Sequence, residues 1–156
     1  MRNNIIGAST LAVFVMAAFA ASIGGAWFMA SLSANAWVVP AFAPPSWVFG
    51  PVWTVLYTLM GISAYWLATS PVHELKPMAL AFFSLQLALN AIWTPVFFGA
   101  ASLAGGLVII IALWASILSY VLITCRISKV ASYLFVPYLA WVSFATVLNL
   151  SYLVLN

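Results

Sequence analysis

The 156-residue chain is 67% hydrophobic and only 3% charged, with a formal net charge of +3 and a mean hydropathy of +1.22, whereas a soluble domain carries about a quarter charged residues. This composition excludes a water-soluble fold, and its basic balance reflects a shortage of acids (Glu74 against Arg2, Lys76, Arg126 and Lys129), which gives no electrostatic case for nucleic acid as a partner. With Cys125 as its single cysteine, the chain cannot form an internal disulfide or a thiolate metal cluster.

At about 20 apolar residues per crossing of the bilayer, five helices are predicted: Ile5 to Leu32, Ser46 to Ala68, Pro77 to Phe98, Leu103 to Cys125 and Lys129 to Leu155. The expected fold class is therefore an all-α integral membrane protein, a single five-transmembrane-helix bundle over residues 1–156. Helices are required because backbone groups in lipid must be paired within their own segment. Pro40, Pro44 and Pro45 interrupt the first junction, Ser70-Pro71-Val72-His73-Glu74 the second, Gly99 to Ser102 the third and Arg126 to Ser128 the fourth. At the start, Arg2, an apolar run and Ala18-Phe19-Ala20 also match a cleavable signal peptide. No polar region precedes the would-be cut, however, and the run continues to Leu32, which favours a retained helix.

Charge tests the helix count independently. Five spans put the amino terminus, the second junction and the fourth junction on one side, and these contain all four bases. Four or six spans would scatter them, so the positive-inside rule predicts a cytoplasmic amino terminus if the membrane is a prokaryotic plasma membrane. Trp27, Trp37 and Trp47 fit either interfacial anchors or packing over the proline-rich loop.

In the third helix, at about 100° per residue, Gln86, Asn90, Trp93 and Phe97 fall on one arc and Ala81, Ser84, Ala88 and Ala91 on the opposite one. Amides are costly in hydrocarbon unless paired, so the first face should point into the bundle. There the amides either tie helices together or orient a ligand. The small-residue face lets another backbone come close, within the monomer or between two copies. The fifth helix repeats the pattern: Trp141, Ala145, Leu148 and Tyr152 share a stripe with Tyr138 and Asn149 at its margins. Two aromatic, amide-edged faces suit a large planar apolar molecule. No second histidine, second carboxylate or Gly-rich phosphate loop accompanies His73 and Glu74, so hydrolytic triads, metal sites and paired-carboxylate chemistry are unavailable.

Three blocks then carry a resemblance. The run from Pro40 to Tyr57 (PAFAPPSWVFGPVWTVLY), Gln86 to Ala100 (QLALNAIWTPVFFGA) and Val136 to Asn149 (VPYLAWVSFATVLN), with Gly24-Gly25 in the first helix, resembles the tryptophan-rich sensory protein family, which includes the mitochondrial translocator protein or peripheral benzodiazepine receptor. The resemblance implies a five-helix bundle, commonly a homodimer, whose cavity opens toward the first loop and binds porphyrins such as protoporphyrin IX, isoquinolines, benzodiazepines or, in animals, cholesterol. Carried over, Asn90, Trp93, Ala145 and Leu148 match pocket residues, and Trp53 and Trp141 match tryptophans linked to porphyrin breakdown. The candidate ligand-binding set is thus Phe42, Trp53, Gln86, Asn90, Trp93, Phe97, Tyr138, Trp141, Ala145 and Leu148; the small-residue face of Ala81, Ser84, Ala88 and Ala91 is the candidate dimer surface. No cofactor or metal is expected beyond a tetrapyrrole as ligand.

The expected function is a membrane receptor or sensor. Light- or oxygen-dependent porphyrin degradation using Trp53 or Trp141 as electron donor is the alternative, and a porphyrin or sterol carrier a further one, although no internal repeat supports it. Ser33-Ala34, Val39-Pro40 and Phe42 replace the family's usual Trp-Tyr, Lys-Pro and Trp in the loop. Gly105 replaces the tryptophan that mammalian members carry early in the fourth helix, which should remove one wall of their drug site. The short cholesterol motif needs a base after its tyrosine, and none follows Tyr152.

Overall fold

The computed structural model describes residues 11–20 and 37–156, and every element among them is helical. They are α1 (Leu11–Ala20), α2 (Phe49–Thr69) led in by a single 3₁₀ turn at Ser46–Val48, α3 (Lys76–Thr94) extended by a π-helical turn at Pro95–Gly99, α4 (Leu103–Cys125) and α5 (Lys129–Leu155). Four of them, α2 to α5 with their extensions, are long and apolar enough to cross a membrane, so the chain is an integral multi-pass membrane protein. Arg2, Gly24-Gly25, Trp27, Ser33-Ala34 and both ends of the first expected span lie outside the described residues.

Local chemistry accounts for each boundary. Pro71 ends α2, and the Lys76 ammonium caps the exposed carbonyls there, donating to the Ala68 oxygen at 3.1 Å and the Ser70 oxygen at 2.7 Å. His73 Nδ1 accepts from the Leu75 N–H at 3.1 Å, and Pro77 follows in the first turn of α3, where its missing N–H costs nothing. At the other end of α3, Pro95 cannot donate to the Ala91 carbonyl, and the turn widens so that the Ala100 N–H reaches Pro95 O at 2.8 Å. Ala101, at φ 50°, reverses the chain. Ser102 and Ser128 then cap α4 and α5 by accepting from the Gly105 and Ala131 N–H groups.

The helices pack so that α4 lies against both α3 and α5, and α2 against α5. The gap between α2 and α3 is filled by α1, whose Phe14 meets Phe83 edge-on at 6.4 Å and whose Phe19 meets Tyr57 at 5.6 Å. Where α1 crosses α2, a Cβ built on Gly61 would sit 2.6 Å from the Val15 Cα and 2.8 Å from its N. Only glycine permits that approach, which is how membrane helices gain contact without a hydrophobic driving force.

Below the middle of the bundle the core is solid, with Phe83, Tyr120 and Phe135 in mutual ring contact. Ser63 ties three helices there: its hydroxyl donates to the Ala131 carbonyl at 2.7 Å, so the Tyr120 hydroxyl donates to Ser63 at 2.9 Å. On the outside of α3, Ala81, Ser84 and Ala88 are exposed and Ala91 is half-buried. The small-residue face therefore does not pack within the described part of the monomer. Ser84 satisfies its hydroxyl on its own helix, donating to the Leu80 carbonyl.

Candidate functional site

Above that solid core the helices enclose a cavity of about 710 Å³, roofed by the chain between Trp37 and Trp47. Ten of the 21 lining residues are aromatic and none is a lysine, arginine, histidine or acid, so the space offers ring faces and edges without formal charge.

The floor is a hydrogen-bonded bridge across three helices. Tyr57 of α2 donates its hydroxyl to Asn90 Oδ1 at 2.8 Å, and Asn90 Nδ2 donates to the Tyr138 hydroxyl of α5 at 3.0 Å. Trp53 stands one turn above, stacked on Tyr57 with centroids 5.1 Å apart and 24° between planes, and edge-on to Tyr138. Trp93 and Phe97 stack at 4.9 Å and 19° to form the α3 wall, and the Trp93 indole N–H donates to Asn149 Oδ1 at 3.3 Å. Facing them from α5, Trp141 meets Phe49 edge-on at 5.8 Å. The indole N–H groups of Trp53 and Trp141 make no hydrogen bond among the described residues, which leaves two donors beside the cavity.

The roof is fastened at its start. Asn156 Oδ1 accepts from the Val38 N–H at 2.7 Å while its Nδ2 donates to the Val38 carbonyl at 3.2 Å, so one carboxamide holds both backbone groups of a loop residue. The adjacent Trp37 ring is wedged against Phe97, Phe98 and Tyr152. Val39, Ala43 and Pro44 follow and line the cavity.

The sequence is matched by known proteins. The profile of the TspO/MBR family covers residues 9–155. The tryptophan-rich protein TspO of Chlorobaculum tepidum is 41% identical over 151 residues, spanning 94% of this chain and 96% of that protein. Protein CrtK of Rhodobacter capsulatus is 36% identical over 146 residues (93% and 91%), and the human translocator protein 35% over 144 residues (91% and 82%). The chain belongs to the TspO/MBR family.

Within this family member, seven of the ten candidate residues converge on the cavity: Trp53, Asn90, Trp93, Phe97, Trp141, Ala145 and Leu148 all line it. Phe42, Gln86 and Tyr138 do not. The Phe42 ring lies on the outer side of the roof against Phe144 and is 51% exposed. Tyr138 is buried at the α5 end of the floor bridge, holding Asn90 rather than lining the space. Gln86, one turn below Asn90 and fully buried, has no partner for either amide atom among the described residues. Gly105 does not line the cavity; a Cβ there would meet Ser102 and Val96 at the α3–α4 turn.

Lining residues that sequence reasoning did not select include Phe19, Trp47, Phe49, Tyr57, Asn149 and Tyr152. A signal existed for two of them, because Asn149 and Tyr152 accompany the fifth-helix stripe. Gly50, Trp53 and Tyr57 also share one helical face at spacings of three and four, but α2 is apolar all round and offered no polar contrast to mark that face.

Proposed function

We propose that the protein is a membrane receptor for planar apolar ligands of the tetrapyrrole class, with protoporphyrin IX as the test ligand. The observation that carries this reading is the uncharged aromatic cavity, whose volume falls within the roughly 300–1,000 Å³ typical of small-molecule sites. Within each stacked pair, Trp53–Tyr57 of α2 and Trp93–Phe97 of α3, the ring planes are 24° and 19° apart, and each ring contact is worth about 0.5–1.5 kcal/mol beyond area burial. The Trp53 and Trp141 N–H groups supply donors to a polar edge, and carboxylates on the ligand rim would lie toward the roof, nearest water. In darkness, protoporphyrin IX should quench tryptophan fluorescence saturably in purified protein; an unsaturable, detergent-like response would sink the reading.

A second activity is favoured by one observation: both candidate electron donors, Trp53 and Trp141, line the same cavity. In light and air, bound porphyrin should bleach faster than free porphyrin in detergent, with dioxygen as oxidant, and Trp53→Phe or Trp141→Phe should slow it. Equal rates for bound and free pigment would remove this activity. A carrier role has less support, since the core beneath the floor is filled by rings.

Orientation and assembly follow the same reading. Lys76, Arg126 and Lys129 sit at the bundle end opposite the roof, which supports a cytoplasmic placement of that end and a cavity opening toward the other side. We assign the face of α3 formed by the exposed Ala81, Ser84 and Ala88 and the half-buried Ala91 to a homodimer contact. Ala88→Phe should shift the protein from dimer to monomer in detergent sedimentation, and an unaltered dimer would place the contact elsewhere.

A further inference from the structure

Gly106 of α4 lies outside the cavity, yet it sets where one wall of the cavity stands. That wall is the Trp93–Phe97 stack of α3, and it is held from behind. Asn149 accepts from the Trp93 indole at 3.3 Å and donates its own Nδ2 to the Leu103 carbonyl, in the first turn of α4, at 3.0 Å. Directly beside it, the buried Gly106 leaves the space into which the Phe97 ring and the Asn149 amide fit. A Cβ at position 106 would lie 2.7 Å from Phe97 Cδ2, 3.2 Å from Phe97 Cβ and 3.1 Å from Asn149 Oδ1.

The Phe97 ring has few directions in which to yield. Trp37, Phe98 and Tyr152 close around it at centroid distances of 5.3, 4.7 and 5.8 Å, and Trp93 is stacked upon it. Its remaining side borders the cavity, which Phe97 lines. Restoring ordinary carbon–carbon separation of about 3.5–4.0 Å would drive the ring inward by about 1 Å. Asn149 would be pressed at the same time, loosening its hold on Trp93. A slot that holds a flat molecule between ring faces would tolerate little of this, because dispersion contact falls off steeply with such a change in separation.

We propose that Gly106, through Phe97 and Asn149, is a specificity-determining position that sets the width of the cavity and so the size of planar ligand it accepts. The inference rests on the planar-ligand reading above. It assigns the selectivity to a glycine that touches no ligand, and it distinguishes Gly106 from its neighbour Gly105, which faces the α3–α4 turn.

The test is a dark titration of wild type and Gly106→Ala with protoporphyrin IX and with acridine, a three-ring planar aromatic. For Gly106→Ala the protoporphyrin Kd should rise by about tenfold or more while the acridine Kd stays within about twofold. In a Phe97→Leu background, where no ring remains to be displaced, adding Gly106→Ala should change neither Kd by more than about twofold. Equal losses for both ligands, or a penalty that persists without the Phe97 ring, would overturn the inference alone. A wild-type protein that bound neither ligand would overturn the planar-ligand reading and this inference with it.

Discussion

Gly61→Leu is expected to lower the unfolding midpoint in detergent by about 10 °C, from an overpacking cost of about 3 kcal/mol in a chain of this size. The cost arises because the added Cβ meets backbone as well as a side chain: beside Val15 Cγ2 at 2.5 Å, Val15 Cα and N lie 2.6 and 2.8 Å from it, and turning the side chain away relieves only the first. Relief requires α1 to move off α2 as a body. That motion also breaks the Phe19–Tyr57 contact at the cavity edge, so protoporphyrin affinity should fall together with stability. Gly50→Ala is the control. No atom lies within 4 Å of a Cβ built there, and replacing a helical glycine by alanine is favourable by about 0.5–1 kcal/mol. Its midpoint should be equal to or above that of wild type. An unchanged midpoint for Gly61→Leu would mean that α1 and α2 do not meet in this register.

Asn90→Leu should be nearly as damaging, for the opposite reason. Nothing clashes, but the Tyr57 hydroxyl loses its acceptor and the Tyr138 hydroxyl its donor, both in a buried region. Each orphaned polar group costs about 1–3 kcal/mol, so about 2–6 kcal/mol in total is expected, with weaker binding because the floor under Trp53 is no longer held. Tyr57→Phe removes one hydroxyl and leaves Asn90 bonded to Tyr138, so it should cost less, about 1 kcal/mol. Thermal unfolding of the three proteins side by side checks the order. If Asn90→Leu matched wild type in stability, the floor would not be the three-helix joint described above.

The pocket stripes were largely readable from periodicity. Asn90, Trp93 and Phe97 on α3, and Trp141, Ala145 and Leu148 on α5, recur at helical spacing and reach one cavity. The same rule misplaced Gln86 and Tyr138. Periodicity reports direction around a helix axis but not depth along it, and Gln86 lies about 6 Å deeper than Asn90 at 1.5 Å per residue. Four residues on the same stripe thus carried one side chain from the cavity to beneath its floor. Phe42 lies in a loop, where no period exists to aim it. Period alone also left open whether the Ala81, Ser84, Ala88, Ala91 face turned inward or outward; packing of α3 on α4 and α1 turned it out.

By itself the sequence determined that the protein lives in a membrane, that it spans as a bundle of helices, and which azimuth of α3 and α5 carries rings and amides. These are local properties: apolar length, charge placement and the 3.6-residue turn act within single segments. Tertiary structure decided the depth of the cavity, the closing of its floor by Tyr57, Asn90 and Tyr138, the backbone contact at Gly61 and the seat that Gly106 makes for Phe97. Each of these depends on how far one helix slides and how closely it approaches another. That is set by contacts between residues remote in the chain, which no single segment encodes.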